Sequence, residues 1–132
     1  MAGSKTILCI EDDRFISDMY TRALKNAGYT VEVVEGGDLG AKKAHEGSYD
    51  LILLDIWIPE KNGIEVLQEL RGEDGKGLPN SKIVITTNYS QDDESRAAAE
   101  AKADGYFIKA EITPRKMVEI AKSLIGEPAT AE

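Results

Sequence analysis

Leu51-Ile52-Leu53-Leu54-Asp55 is a run of four large apolar residues ending on an acid, and Thr6-Ile7-Leu8-Cys9-Ile10 runs in the same way into Glu11-Asp12-Asp13. A short apolar run with no polar alternation is the pattern of a strand buried on both faces, as in a parallel sheet covered by helices. Such sheets bind ligands at the carboxyl ends of their strands. The two acidic ends are therefore expected to meet at one edge. Carboxylates held together repel one another unless a cation sits among them. The pattern thus implies a divalent-cation site on a buried α/β sheet.

Working outward, three more strands are predicted at residues 30–34, 82–87 and 106–108. Helical windows fall between them, at about 14–27, 38–45, 64–70 and 92–103, with a fifth after Thr113. The first carries Ile16, Met19, Tyr20, Ala23 and Ala27 at helical spacing and stops at Gly28. Asp13 suits its N-cap. Ser90 is a candidate cap for the fourth helix, with Asp93 three residues on. The fifth has Thr113 as N-cap, Pro114 at the first helical position, and Met117, Ile120, Ala121 and Leu124 on one face. Strict alternation of strand and helix implies a doubly wound α/β fold with a parallel five-stranded sheet. The fourth helix is alanine-rich, buries little, and is a candidate moving part. The link from Arg71 to Ser81 holds three glycines and one proline and is expected to be a mobile surface loop.

Composition narrows the function. At 132 residues the chain fits one domain, with a core over about 5–125 and a flexible tail at 126–132. The net charge of −8 disfavours direct binding to nucleic acid or to an anionic membrane. Cys9, the one cysteine, sits inside a predicted strand and reads as a core residue. No apolar run approaches a membrane span, and a cytoplasmic location is expected. His45, the one histidine, falls on a short polar helix, which argues against histidine-based chemistry.

Two further strand ends complete the pattern: Thr86-Thr87 closes the fourth strand and Lys109 follows the fifth. Acids, a hydroxyl and a lysine around one cation are what phosphoryl transfer onto a carboxylate needs. With Asp55-Ile56-Trp57-Ile58-Pro59-Glu60-Lys61-Asn62-Gly63, the set resembles the receiver domain of bacterial two-component response regulators (CheY-like) from about residue 5 to 125. The proline four residues after the acid and the glycine eight after it carry the resemblance.

The resemblance implies a flavodoxin-like sheet in the order 2-1-3-4-5. It implies Asp55 as phosphoacceptor and Mg²⁺ held by Asp12, Asp55, the Trp57 carbonyl and, through water, Glu11. Lys109 would pair with the acceptor, while Thr87 and Tyr106 would carry the switch to the face of the fourth helix, fifth strand and fifth helix. The implied donor is a sensor histidine kinase or a histidine phosphotransfer protein. Output would pass through a downstream protein, from a monomer or a phosphorylation-dependent dimer. Two departures stand out. Ala110 follows Lys109 where many receivers have a cis-proline, and Asn88 stands where a very small residue is usual. Trp57 and Tyr89 flank the acceptor and are candidates, with Asn88, for setting how fast the acyl phosphate hydrolyses. A scaffold without phosphate chemistry is the main alternative. A Mg²⁺-dependent phosphohydrolase lacks its proton donor, because Trp57 stands where a second aspartate would be needed.

Overall fold

The computed structural model describes residues 5–88 and 93–128. β1 (Thr6–Ile10), β2 (Thr30–Val34), β3 (Leu51–Asp55), β4 (Lys82–Thr87) and β5 (Gly105–Ile108) form one parallel sheet in the order β2-β1-β3-β4-β5. Between and after them run α1 (Arg14–Ala27), α2 (Gly37–Glu46), α3 (Gly63–Arg71), α4 (Asp93–Lys102) and α5 (Pro114–Ile125). The four strands called first match their predicted bounds. The fifth begins one residue earlier, at Gly105.

The apolar runs are explained by a core on each side of the sheet. Leu8, Ile10, Ile52, Leu54, Ile83 and Ile85 pack against α2, α3 and the small contribution of α4. Their neighbours Ile7, Cys9, Leu51, Leu53 and Val84 point the other way, onto Tyr20 and Leu24 of α1 and Met117, Ile120 and Ala121 of α5. Successive side chains of a strand face opposite sides. Both sides are dry here, so both sets must be apolar.

Helix ends follow local chemistry. The Asp13 side chain accepts from the Phe15 and Ile16 N–H groups, and Thr113 accepts from Lys116. α3 starts with a reciprocal capping box between Asn62 and Glu65. Gly63, its first residue, has no room for a side chain: a Cβ would lie 2.4 Å from the Asp55 carbonyl oxygen. The Gly63 N–H donates to the Ile56 carbonyl at 2.8 Å, closing the β3–α3 loop at its base. Ser90, proposed as a cap for α4, lies outside the described residues.

One expectation is corrected. The link after α3 is pinned, because Arg71 is 6% exposed and its guanidinium donates to the Gly77, Leu78, Ser81 and Lys102 carbonyls. It also pairs with Asp104 at 2.7 Å. A buried cation needs all its donors satisfied, and the loop's carbonyls do this. The Lys5 N–H donates to the Pro128 carbonyl at 2.8 Å and the Tyr29 hydroxyl to the Gly126 carbonyl at 2.6 Å, which ties these two residues to the domain. Among the described residues no helix is long and apolar enough to cross a membrane.

Candidate functional site

The sheet register brings the site together. Ile10, the last residue of β1, pairs with Leu54, Asp55 with Thr86, and Thr87 with Ile108. The residues that follow β1, end β3 and β4, and follow β5 are thus neighbours along one edge. Glu11, Asp12 and Asp55 each place a carboxylate oxygen within 4.8 Å of the others. Lys109 opens a 3₁₀ turn (Lys109–Glu111) and reaches into this group. Its Nζ lies 2.6 Å from Glu11 Oε1 and 3.1 Å from Asp55 Oδ2.

Burial separates the three acids. Glu11 and Asp55 are 2% and 3% exposed, whereas Asp12 faces solvent. Desolvation raises the Glu11 carboxyl to about 7, the Asp55 charge adds to the rise, and the Lys109 contact opposes it. Burial lowers Lys109, but its pairs with Glu11 and Asp55 outweigh this and leave it raised. It stays an ammonium. Cys9, beneath the acids, is pushed up to about 12 by burial first and by Glu11 next, so it remains a thiol.

The remaining predicted residues take clear places. The Trp57 N–H donates to Asp55 Oδ1 at 3.2 Å, while its side chain is 51% exposed beside the site. Thr87 is fully buried at the end of β4, and Asn88 after it is exposed. Tyr106 is half-buried on β5, with the Arg96 guanidinium of α4 5.5 Å from its ring centroid. Tyr89 lies outside the described residues. Asp13 is spent as the α1 cap and stands apart from the carboxylate group. The Lys109–Ala110 bond is trans, as are all peptide bonds of the described residues. His45 lies on the surface, 3.9 Å from Glu69.

Sequence reasoning missed that Lys109 holds Glu11 as closely as it holds Asp55. The signal was present, since two buried acids and one buried lysine at a shared edge must share that charge. The donor set fits Mg²⁺: hard carboxylate oxygens, few in number, with Asp12 open to water.

Residues 7–122 match the family model described as the response regulator receiver domain. The chain is similar to the transcriptional regulatory protein CiaR of Streptococcus pneumoniae, with 39% identity over 103 residues, 78% of this chain and 44% of that protein. It is similar to the transcriptional regulatory protein ResD of Bacillus subtilis, at 32% over 119 residues, 90% of this chain and 47% of that protein. The chain therefore spans less than half the length of these curated relatives. Among solved structures it resembles a CheY-like response regulator receiver domain protein of Methanospirillum hungatei (TM-score 0.81, 29% identity, 96% of this chain and 97% of that one). It also resembles the response regulator TrrA of Thermotoga maritima, solved in complex with Mg²⁺-BeF (TM-score 0.74, 32% identity, 91% of this chain and 98% of that one).

Proposed function

Because this chain belongs to the response regulator receiver domain family, we propose that it is a phosphorylation-driven signalling switch with Asp55 as its phosphoacceptor. The observation that carries the reading is Lys109 Nζ bridging Glu11 and Asp55 within a group of three carboxylates at the carboxyl edge of the sheet. Asp55 Oδ would attack phosphorus, forming the O–P bond as the P–N bond to a donor histidine breaks. Asp12, Asp55 and the Trp57 carbonyl, with Glu11 behind them, would hold Mg²⁺. The ion, when bound, neutralises phosphoryl oxygens. Lys109 offers a compact charge that can follow the new phosphoryl group away from Glu11. The Trp57 N–H, already on Asp55, keeps the acceptor oxygen oriented.

Phosphorylation adds about −1.5 to −2 charges and three acceptor oxygens. The Thr87 hydroxyl, at the end of the next strand, would be drawn toward them. Tyr106 shares β5 with the residue paired to Thr87 and packs under Arg96 of α4. That gives the charge change a route to the α4-β5-α5 face, where a partner protein would read it. Trp57 beside the acceptor, together with Asn88 and with Tyr89, which follows it in sequence, would set how fast water reaches the acyl phosphate. The donor would be a sensor histidine kinase or a histidine phosphotransfer protein.

The test uses Trp57 as an internal probe. Its fluorescence is followed with Mg²⁺ alone and with Mg²⁺ plus acetyl phosphate, alongside intact mass. A Mg²⁺-dependent change and one added phosphate, both lost in Asp55→Asn, are expected. Absence of phosphate uptake, with no beryllofluoride binding either, overturns the reading.

A further inference from the structure

The loop between β3 and α3 makes a contact that neither of its ends requires. Glu60 is one of two non-glycine residues with positive φ among the described residues, at 76°. A glutamate leaves that left-handed region unless something holds it there. What holds it is α2, the helix beside α3 on the same face of the sheet. The N-cap residue of α2, Gly36, offers no side-chain cap. Instead the Glu60 carboxylate accepts from the Asp38 N–H at 3.0 Å, and the Pro59 carbonyl accepts from the Gly37 N–H at 3.1 Å. Two open donors of the α2 N-terminus are thus satisfied by residues more than twenty positions later in the chain. The negative carboxylate also sits at the positive end of the helix dipole.

The approach is close enough to dictate sequence. A Cβ on Gly36 would fall 2.5 Å from Glu60 Oε1, and one on Gly37 would fall 2.3 Å from the Lys61 carbonyl oxygen. The Lys61 ammonium adds a pair to Asp38 at 3.6 Å and one to Glu69 of α3. The loop is therefore fastened at both ends of its course. At its base the Gly63 N–H meets the Ile56 carbonyl, and at its tip Pro59–Lys61 grip α2. Trp57 lies between these anchors, with its N–H on Asp55.

We propose that Glu60 is a positioning residue of the phosphoacceptor site: its carboxylate caps the neighbouring helix α2 and so fixes the loop that holds the Trp57 backbone against Asp55. The proposal rests on the reading of Asp55 and its neighbours as a Mg²⁺ and phosphoryl site. Glu60 does not touch the reacting atoms. It acts through Trp57.

Glu60→Gly, Glu60→Ala and Glu60→Gln are compared with the parent by Mg²⁺ titration, read by Trp57 fluorescence and by calorimetry. Thermal unfolding and acetyl phosphate uptake by intact mass are measured beside it. Glu60→Gly relieves the left-handed strain while removing the cap, so its melting temperature is expected to stay near the parent's. Its Mg²⁺ dissociation constant is expected to rise about three- to tenfold, in line with the worth of a helix cap. Glu60→Ala should weaken Mg²⁺ binding similarly. Glu60→Gln keeps an oxygen for the Asp38 N–H and should bind within about twofold of the parent. Phosphate uptake should follow the same order. If Glu60→Gly binds Mg²⁺ as the parent does, Glu60 only secures α2 and the proposal is overturned. If the parent binds Mg²⁺ through Asp55 but takes no phosphate, the phosphoacceptor reading fails while the titration still judges Glu60. A parent that binds no Mg²⁺ overturns both.

Discussion

Replacing Asp55 by asparagine should make the metal-free protein more stable. At about pH 8, where Glu11 is ionised, its carboxylate lies no more than 4.8 Å from that of Asp55, and at an effective dielectric of about 20 the two repel by at least about 3.5 kcal/mol. Asp12 faces water, so its repulsion of Asp55 is screened to about 1 kcal/mol. Lys109, at 3.1 Å, attracts Asp55 by about 5 kcal/mol on the same scale. The charge terms therefore nearly cancel. Desolvation decides the sign: a carboxylate 3% exposed carries a penalty of several kcal/mol, most of which a neutral amide avoids. A net gain of about 2 kcal/mol is expected for Asp55→Asn, or about 5–10 °C in melting temperature. The assay is thermal unfolding by circular dichroism in a chelator-containing buffer, repeated with Mg²⁺. Mg²⁺ at ten times its dissociation constant adds about 1.4 kcal/mol to the parent. The variant lacks one ligand and gains less, so the gap should narrow. A variant that melts at or below the parent without metal would show that the Lys109 pair outweighs desolvation, and refute this reasoning.

Mg²⁺ affinity should rise with pH and level off above about 7, because the folded protein raises Glu11 from 4.5 to about 7 and that proton must leave. By the same linkage, metal-free stability contributed by protonated Glu11 is fully present below 4.5 and is lost as pH rises toward 7. Calorimetry in buffers of different ionisation heat, at about pH 6 and about pH 8, should show proton release only at the lower pH. Arg71→Ala should cost about 3–5 kcal/mol, since it takes a donor from four carbonyls and leaves the Asp104 carboxylate without its cation. Limited trypsin digestion should then cut after Lys76, where the parent resists. Asp13→Ala should cost about 1 kcal/mol in stability, the worth of an N-cap, and leave Mg²⁺ affinity unchanged.

The strands were legible because burial on both faces leaves no polar alternation to confuse with a helix. β5 was the least sharp, since all four of its residues are only half-buried and it opens on Gly105. The placement of the candidate site was legible wherever a proposed side chain sits at or just beyond a strand end, as Asp12, Asp55, Thr87 and Lys109 do. What failed was contact between residues far apart in sequence. Glycine, proline and polar residues at 72–80 report backbone freedom, but not a guanidinium reaching back from the end of α3. The Asn62…Glu65 spacing did carry a capping signal for α3 and could have fixed its start. The Glu60–Asp38 bond had no such signal, because 22 residues separate donor and acceptor.

Gly63 has a mechanical consequence. With no space between its α-carbon and the Asp55 carbonyl, the start of α3 and the end of β3 are welded into one stiff body. Across the acceptor, α4 is compliant, with Ala99 its one buried side chain among those described. A load applied at Asp55 meets a rigid wall on one flank and a yielding one on the other. In the proposed switch, displacement would therefore be directed toward α4, and a side chain at position 63 would both clash with the backbone of Asp55 and remove the anvil against which such a switch would work.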